Sequence, residues 1–199
     1  MEIFSSDWRD VLNDTKHFFE KDLLQKVGSS DLIEHHCSRV KENGSITEKL
    51  IAKGVTPSKE NALRYLTDII GVRIVVHFIG DVYDVASKIR DKYDVKEEID
   101  YIANPKDNGC RSLHMIVDAP VMAQSYNMGM IIPVEIQIRT LAMDCWASLE
   151  HQMLYKKKHN GQMELAKKEL NNCADALFST DMKMEAIQNI IQKSENFQA

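Results

Sequence analysis

Apolar and polar residues alternate most regularly between positions 133 and 139. The apolar positions are Val134, Ile136 and Ile138, and the polar positions are Glu135, Gln137 and Arg139. Because successive side chains of a β-strand point to opposite faces, the pattern predicts a strand with one apolar and one polar face. A solvated strand shows the same alternation, but the segments on either side, 128–132 and 141–149, are strongly apolar. We therefore expect an acid, an amide and a guanidinium inside the protein, where they serve chemistry or a fixed partner.

Apolar residues at helical spacing predict four longer helices, at 8–26, 82–93, 140–155 and 163–192. Shorter helices are expected at 31–37, 46–53 and 61–66. Ser45 is the expected N-cap of the helix at 46–53, because Glu48 follows three residues later and completes a capping box. Gly54 is expected to end that helix.

Runs of β-branched and apolar residues predict further strands at 71–78, 95–101 and 112–117, besides the strand at 131–138. The basic segment 38–44 is expected to form a strand or a loop, and the turn residues of 104–109 predict a loop. Strands alternate with helices, yet several connections between strands are short, which favours a mixed sheet over a purely parallel one. The predicted fold class is α/β (α+β), with a mixed sheet of about five strands flanked by helices and helical N- and C-terminal extensions.

No internal repeat, low-complexity segment or linker divides the 199 residues, and this length suits one compact domain. We predict a single domain over 1–199, with its core at about 38–156. A C-terminal helical segment at about 162–195 is expected to pack on the core or to form an oligomer.

The formal net charge of −5 argues against binding of DNA through a broad positive field, so any phosphate must be bound by a local basic cluster. Residues 1–7 lack the basic start and apolar core of a signal peptide, and no run approaches transmembrane length. Cys37, Cys110, Cys145 and Cys173 form no Cys-x-x-Cys pair, which predicts reduced thiols rather than a disulfide framework or a zinc site. We therefore expect a cytoplasmic protein that does not bind membranes.

Two carboxylates are the first candidates for chemistry. Asp68 precedes the strand predicted at 71–78, and Glu135 lies within the strand predicted at 131–138. Two carboxylates from separate elements of one sheet can hold Mg²⁺, which takes its other ligands from water and substrate phosphates. Alternatively, Asp68 caps or pairs locally, and Glu135 pairs with Arg73 or Arg139.

A basic cluster comprises Arg39, Lys41, Lys49 and Lys53. Lys49 and Lys53 are four residues apart and share one face of a predicted helix. The N-terminus of this helix, near Ser45, also favours phosphate oxygens. Together these groups could hold a polyphosphate, and the alternative is a solvated basic face.

A third group of candidates surrounds the loop predicted at 104–109. Lys106 lies in this loop, and Arg111 and His114 follow it in the sequence. Arg111 could clamp a phosphate, and His114 could do the same or donate a hydrogen bond. The alternative is a charged turn followed by a core histidine.

The helix predicted after the alternating strand carries Trp146, Glu150, His151 and Tyr155. Trp146 is expected in the core, whereas Glu150 and His151 could support the polar strand face from behind. The sequence contains no Walker pattern, no Gly-x-Gly-x-x-Gly and no His-Asp dipeptide. The usual signature of a metal-dependent HD phosphohydrolase is therefore missing, and no hydrolase activity is expected.

Taken in order, these motifs resemble the synthetase domain of the RelA/SpoT-type (p)ppGpp synthetases, and specifically the stand-alone small alarmone synthetases. The matching pieces, between about 39 and 155, are Arg39-Val40-Lys41 with Ser45 and Lys49, Asp68 to Ile74, Asp100-Tyr101-Ile102, Asn108-Gly109, Arg111 to His114, Glu135 to Thr140, Trp146-Ala147 and Glu150-His151. The resemblance implies a nucleotidyltransferase-like synthetase fold. It also implies a GTP diphosphokinase of the stringent response, which transfers the β,γ-pyrophosphate of ATP to the 3′-hydroxyl of GTP or GDP.

The resemblance further implies roles for individual residues. Asp68 and Glu135 would hold the Mg²⁺ cofactor, Glu135 would activate the 3′-hydroxyl, and Arg73 would join them in catalysis. The residues expected to bind ATP are Arg39, Lys41, Ser45, Lys49 and Lys53. The residues expected on or near the acceptor are Lys106, Cys110, Arg111, His114, Gln137 and Arg139. The expected partners are ATP, GTP or GDP, and further copies of the chain, because the C-terminal helix fits the family's habit of forming tetramers.

Cys110 departs from the family pattern, which typically has a tyrosine at this position whose ring stacks on guanine. A base–aromatic stack contributes roughly 1–3 kcal/mol, so its loss would weaken acceptor binding roughly ten- to hundredfold. This departure keeps two alternatives open. One is a catalytically weak or inactive regulatory protein that binds a nucleotide or alarmone. The other is a pyrophosphokinase for a different acceptor, such as an adenosine nucleotide or tRNA, although the acidic net charge disfavours tRNA.

Overall fold

The computed structural model describes residues 2–28, 32–122, 129–154 and 161–196. The helices in these ranges are α1 (Ser6–Val27), α2 (Asn43–Ala52), α3 (Lys59–Tyr65), α4 (Ile79–Lys92), α5 (Leu141–Leu154) and α6 (Gly161–Asn196). The strands are β1 (Ile33–Val40), β2 (Ile70–Val76), β3 (Val95–Asp100), β4 (Leu113–Pro120) and β5 (Ile131–Thr140).

The described strands form one sheet of five strands in the order β1-β2-β5-β4-β3. β2 and β5 are parallel, whereas the other neighbouring pairs are antiparallel. Parallel neighbours need a long crossover, and here α4, β3 and β4 lie between β2 and β5 in the chain. The mixed sheet predicted from the short strand connections is therefore confirmed.

The core lies between one face of the sheet and the helices α1 and α4. The apolar positions of β5, all fully buried, are Val134, Ile136 and Ile138. Helix α4 adds buried residues at helical spacing, namely Val82, Val85, Ala86 and Ile89. Because these apolar positions decide which face of β5 meets the core, they also direct the polar side chains of β5 to the opposite face.

The prediction of a helix at 31–37 is wrong. Ile33–Val40 forms the edge strand β1, which runs antiparallel to β2 with Cys37 opposite Arg73. The segment has few apolar residues and is mostly exposed, so hydrogen bonding to a distant strand decides its conformation rather than local spacing. Asp31 lies outside the described residues.

Helix α2 begins earlier than its predicted N-cap. The N-cap is Glu42 and the helix starts at Asn43, so Ser45 lies within the first turn and the predicted cap is wrong. The side chain of Asn43 exchanges two hydrogen bonds of 3.1 Å with the backbone of Phe4. This tertiary contact fixes the start of the helix, which local sequence spacing does not reveal. Gly54, with φ +70°, ends the helix as predicted.

The helical predictions for the C-terminal half are confirmed, with α5 and α6 in the expected places. Tyr155, the predicted end of α5, lies outside the described residues. Helix α6 contacts both α5 and α4. In the described part of the chain, no helix combines the length and hydrophobicity that a membrane span needs. The division of the chain into a core and a C-terminal helical segment stays a prediction.

Candidate active site

The polar face of the sheet brings candidate residues from distant parts of the chain into two rows. In the first row, the residues opposite one another on β1, β2 and β5 are Arg39, Gly71 and Glu135. In the second row, which continues to β4, they are Cys37, Arg73, Gln137 and His114. Because Gly71 has no side chain, space remains between Arg39 and Glu135 on the surface of the sheet.

Asp68 lies just before β2 and carries a side chain that is 12% exposed. Its Oδ2 atom accepts from the ammonium groups of Lys41 and Lys49, the latter at 2.8 Å. Its Oδ1 atom is buried and has no hydrogen-bond partner among the described residues. Burial would raise the pKa of Asp68, but the two ammonium groups outweigh it and hold the pKa below its usual value. Asp68 is thus an ionised carboxylate with one uncommitted oxygen.

Glu135 lies between two polar neighbours on the same face. Nδ1 of His114 is 3.1 Å from Oε1 of Glu135, and Nε2 of Gln137 donates to Oε2 at 2.6 Å. Burial raises the pKa of Glu135 and the charge of Asp68 adds to this effect, but the interactions with His114 and Gln137 outweigh both and lower the pKa. Glu135 is therefore ionised at neutral pH and close enough to Asp68 for the two charges to interact.

Arg73 and Arg139 bind one shared carboxylate, that of Asp144 in the first turn of α5. Oδ1 of Asp144 lies 3.0 Å from Nη1 of Arg73 and 3.4 Å from Nη1 of Arg139. Burial, and then the positive charge of Arg73, lower the pKa of Arg139. Sequence reasoning missed Asp144, because an acidic residue in the first turn of a helix is common and carries no functional signal.

Unpaired polar atoms are concentrated on this face. Six buried side-chain nitrogen or oxygen atoms of the described residues have no hydrogen-bond partner there, and four of them belong to the polar face. These four are Oδ1 of Asp68, Nε of Arg73, Nε2 of His114 and Nε of Arg139. Since buried polar atoms are normally paired, such a concentration indicates a surface that receives a polar ligand.

Two adjoining spaces open on the polar face. The smaller, about 60 Å³, is lined by Lys41, Asp68 and Glu135 together with Arg39, Arg73 and Gln137. The larger, about 420 Å³, shares Arg39, Arg73 and Gln137 and adds Cys110, Arg139, Trp146, Glu150 and His151. We call them the acidic cavity and the large cleft. The volume of the large cleft is in the range of small-molecule sites.

The predicted ATP-binding residues divide into two groups. Arg39 and Lys41 line the acidic cavity, and Lys49 reaches Asp68 from α2. Ser45 and Lys53 are exposed on or beside α2, and neither lines the acidic cavity or the large cleft. The structure therefore places Arg39, Lys41 and Lys49 at the acidic cavity or at its carboxylates. It leaves Ser45 and Lys53 on the outer surface.

The loop predicted at 104–109 packs on α6 together with Cys110 and Arg111. We call residues 104–111 the acceptor loop, because Lys106, Cys110 and Arg111 are among the residues expected on or near the acceptor. The side-chain amide of Asn171 donates to the carbonyl of Asp107 at 3.1 Å. Gly109 has φ +86°, and a Cβ atom there would lie 2.7 Å from Oδ1 of Asn171 and 2.8 Å from Cβ of Ala174. Cys110 is buried, packs against Ala174, and also lines the large cleft. Helix α6 therefore fixes the position of the loop beside the cleft.

Arg111 is directed toward α6 rather than toward Glu135. Its guanidinium donates to the carbonyl of Ile102 at 2.9 Å and to Oδ1 of Asp175 at 3.0 Å. It also stacks on Phe178, 4.1 Å from the ring centroid. In the structure Arg111 thus anchors the acceptor loop to α6, and its expected contact with an acceptor stays a prediction.

Two further residues of the acceptor loop contact other parts of the protein: Lys106 contacts Tyr101, and Asn108 contacts α5. The ammonium of Lys106 lies 4.3 Å from the ring centroid of Tyr101, and this ring meets His114 edge-on at 5.1 Å. Asn108 donates to Oε1 of Glu150 at 3.3 Å. Glu150 therefore supports the acceptor loop, a role that differs from the expected support of the polar strand face.

Asp68 and Glu135 are suitable ligands for Mg²⁺, because both offer carboxylate oxygens. Mg²⁺ prefers oxygen ligands and is commonly bound by one or two carboxylates together with water and substrate phosphates. Asp68 has an uncommitted buried oxygen and lines the same cavity as Glu135. Within the described ranges, no three His, Cys, Asp or Glu side chains converge as a metal cage. These residues would therefore hold Mg²⁺ jointly with a phosphate-bearing ligand.

Comparisons with known proteins assign the chain to a family. A family described as "Region found in RelA / SpoT proteins" matches residues 38–160. GTP pyrophosphokinase YwaC of Bacillus subtilis (strain 168) is 38% identical over 177 residues, which cover 88% of this chain and 83% of that protein. GTP pyrophosphokinase YjbM of the same organism is 36% identical over 165 residues, covering 82% and 75%.

A solved structure supports the same assignment. The crystal structure of small alarmone synthetase 1 from Bacillus subtilis bound to its product pppGpp superposes with a TM-score of 0.72 at 31% identity. The match covers 94% of this chain and 91% of that one. The resemblance seen in the motifs is confirmed, and the chain, which is similar to GTP pyrophosphokinases and to a small alarmone synthetase, belongs to the RelA/SpoT family.

Proposed function

We propose that this protein is a (p)ppGpp synthetase, which transfers the β,γ-pyrophosphoryl group of ATP to the 3′-hydroxyl of GTP or GDP and releases AMP. One observation carries the proposal. The ionised pair Asp68 and Glu135 lines a cavity that Lys41 also lines, and Lys49 contacts Asp68. This cavity shares Arg39 and Arg73 with a larger cleft. Such an arrangement suits a polyphosphate donor and a second nucleotide that meet at the carboxylates.

On the donor side, Lys41 and Lys49 would bind the phosphates of ATP. Both ammonium groups already lie at the carboxylate of Asp68, so a short displacement would bring them to phosphate oxygens next to it. Arg39 and Arg73 line both the acidic cavity and the large cleft. They would therefore bind the two nucleotides where these lie next to each other. The transferred group is highly anionic, so fixed cations contribute to catalysis by stabilising its charge.

On the acceptor side, Glu135 is the group that would receive the proton of the 3′-hydroxyl. The hydroxyl oxygen attacks the β-phosphorus, the bond from this phosphorus to the oxygen shared with the α-phosphate breaks, and AMP leaves. The hydrogen bonds from His114 and Gln137 orient the carboxylate and keep it ionised before the reaction. When bound, Mg²⁺ neutralises phosphate charge and aligns the pyrophosphoryl group with the acceptor.

The central test measures AMP release from ATP with GTP, GDP or GMP, at several Mg²⁺ concentrations, and identifies the product by chromatography. The expected result is acceptor-dependent AMP release that Glu135→Gln and Asp68→Asn reduce by at least about a hundredfold. Glu98→Gln removes a carboxylate that pairs with Arg90 away from the site and serves as the matched control. Equal rates for wild type and Glu135→Gln would disprove the proposal.

Cys110 favours a second candidate, a protein that binds a nucleotide or alarmone without turnover or that uses another acceptor. A thiol cannot stack on a base as an aromatic ring does. Calorimetric binding of GDP or pppGpp with no product from any acceptor would select the regulatory protein. Product formation only with an adenosine nucleotide or tRNA would select the different acceptor.

We further propose that the protein acts in the cytoplasm, where both nucleotides are available, as a homo-oligomer formed through α6. The second half of α6 exposes apolar side chains, with Met184, Ile187 and Ile190 each more than half exposed at 57%, 51% and 67%. Burial of such a stripe between copies would remove it from water. Light scattering coupled to size exclusion would measure the mass, and Ile190→Glu should reduce it.

A further inference from the structure

Asp144 is a partly buried carboxylate that the proposed chemistry leaves without a role. It lies in the first turn of α5, and its side chain is 15% exposed. Besides the two arginines at Oδ1, it has Nε2 of His35 at 3.8 Å from Oδ2. The carboxylate therefore lies where side chains of β1, β2, β5 and α5 meet. It adjoins Arg73, which lines both the acidic cavity and the large cleft, and Arg139, which lines the large cleft.

The two arginines need such a carboxylate for an electrostatic reason. Arg73 and Arg139 belong to neighbouring strands, and their side chains are only 29% and 8% exposed. Two guanidinium groups with limited access to water repel each other, because screening in the protein interior is weak. One carboxylate oxygen between them offsets the repulsion and fixes both groups at defined positions.

The arrangement continues from Arg139 to the reaction centre. Nη2 of Arg139 donates to Oε1 of Gln137 at 3.1 Å. This contact leaves the amide nitrogen of Gln137 to donate to Glu135, which it does at 2.6 Å. A side-chain amide has one accepting and one donating end, so the guanidinium of Arg139 and the carboxylate of Glu135 together fix the orientation of the Gln137 amide. Asp144 is the far end of this series of hydrogen bonds.

We infer that Asp144 is a positioning residue, which holds Arg73 where the two nucleotide sites adjoin and Arg139 on the acceptor side, and thereby supports the binding of both nucleotides. The inference rests on the proposed function for the identity of the two nucleotides. It requires that the effect of Asp144 passes through the two arginines. A residue that only stabilises the fold would act independently of them.

The test is a pair of double-mutant cycles read by calorimetric binding. Binding of a non-hydrolysable ATP analogue is measured for wild type, Asp144→Asn, Arg73→Gln and the double variant. Binding of GDP is measured for the corresponding set with Arg139→Gln. We expect Asp144→Asn alone to weaken both ligands on the order of tenfold, and to weaken them less than twofold further when the partner arginine is already absent.

Two controls keep the result interpretable. Glu98→Gln breaks the 2.9 Å ion pair with Arg90 on β3 and α4, and should leave both affinities unchanged. Thermal unfolding identifies variants that fail to fold. If Asp144→Asn is one of them, Asp144→Glu, which keeps the charge, replaces it, and the same dependence on Arg73 and Arg139 is expected.

The inference would be overturned if the change in binding free energy caused by Asp144→Asn added fully to that of either arginine variant. It would also be overturned if Asp144→Asn left the affinity for both ligands unchanged. Failure of the proposed function is a separate outcome, because it is seen as absence of acceptor-dependent AMP release by the wild-type protein. The binding cycles need no turnover and report on Asp144 in either case.

Discussion

The ammonium of Lys49 lies 2.8 Å from Oδ2 of Asp68, the same oxygen that Lys41 contacts. Two lysines therefore share one oxygen of the expected metal-binding carboxylate, while its other oxygen is buried and uncommitted. The two lysine charges therefore lie next to the expected binding positions of Mg²⁺ and of the ATP phosphates. Binding of the cation and of the polyanion should consequently depend on each other, since the phosphates draw the lysines away from Asp68.

Lys49→Gln tests this dependence. The variant removes one positive charge from Asp68, so the free protein should bind Mn²⁺, used as a spectroscopic substitute for Mg²⁺, about three- to tenfold more tightly. The same variant should bind a non-hydrolysable ATP analogue more weakly, because a phosphate-binding cation is lost. Electron paramagnetic resonance of free Mn²⁺ measures the first affinity, and calorimetry measures the second.

Lys96→Gln provides the control for Lys49→Gln. Lys96 also pairs with an aspartate, Asp94 at 2.5 Å, but lies on β3 away from the acidic cavity. This variant makes the same change in net charge and should alter neither affinity. An unchanged or weaker Mn²⁺ affinity in Lys49→Gln would contradict the expected opposition between lysine and cation.

The polar face of β5 could be predicted from the sequence because its period is local. Val134, Ile136 and Ile138 are buried, so the alternation alone assigns Glu135 and its polar neighbours to the opposite face. The sequence also suggested that Asp68 and Glu135, on separate elements of one sheet, could hold one cation. The structure supplies the reason, which is the parallel register that sets Gly71 opposite Glu135.

Other parts of the site could not be predicted because long-range contacts decide them. β1 is a strand because it pairs with β2, and the sequence of 31–37 carries little local preference. Arg111 follows a loop in the sequence, but only the packing of α6 shows that it binds Asp175 and Phe178. Asp144 acquires its importance from the two arginines that meet it, and these come from different strands.

Cys110→Tyr tests whether a missing aromatic ring limits acceptor binding. Cys110 lines the large cleft beside Trp146 and Arg139, so a ring attached here would border the space expected to hold the acceptor base. We expect GDP affinity to rise roughly ten- to hundredfold, with no change in affinity for the ATP analogue. Calorimetry measures both ligands.

Cys110→Ala is the matched variant, because it removes the thiol without adding a ring. It should bind GDP about as well as wild type. If the tyrosine and alanine variants bind GDP equally well, with both folded by circular dichroism, the acceptor is held by other groups.

Gly109→Ala tests the contact between the acceptor loop and α6. The positive φ of +86° disfavours alanine, and the new Cβ would overlap Asn171 and Ala174 at 2.7 Å and 2.8 Å. We expect the free energy of unfolding to fall by about 1–3 kcal/mol, and GDP affinity to fall as the loop shifts. Chemical denaturation and calorimetry measure the two effects.

Gly54→Ala separates backbone strain from the contact with α6. Gly54 has a comparable φ of +70°, but a Cβ atom there would meet nothing within 4 Å. Its substitution should lower stability by the strain alone and should leave GDP affinity unchanged. If the two substitutions change the free energy of unfolding and the GDP affinity equally, the packing of Gly109 on α6 contributes to neither.

Asp181→Asn tests the buried link between α6 and the end of β5. Asp181 is 7% exposed and accepts a hydrogen bond from the hydroxyl of Thr140, while Glu185 lies near it. Burial raises the pKa of Asp181 above its usual 3.8, the hydrogen bond from Thr140 opposes this, and the charge of Glu185 adds to it. The folded protein therefore binds this proton more tightly than the unfolded chain does, and ionisation of Asp181 costs stability.

The sign of the pH dependence follows from this raised pKa. The cost is fully present at pH values above the raised pKa and disappears as the pH falls toward and below 3.8, the usual value. Asparagine keeps an acceptor for Thr140 and never ionises, so the stability of Asp181→Asn relative to wild type should be greatest at neutral pH and should decline as the pH falls. Urea denaturation at a series of pH values from neutral to about 4 measures the difference, with the exposed Asp91→Asn as control. A relative stability that stays constant or increases as the pH falls would show that Asp181 is not held with a raised pKa in the folded protein.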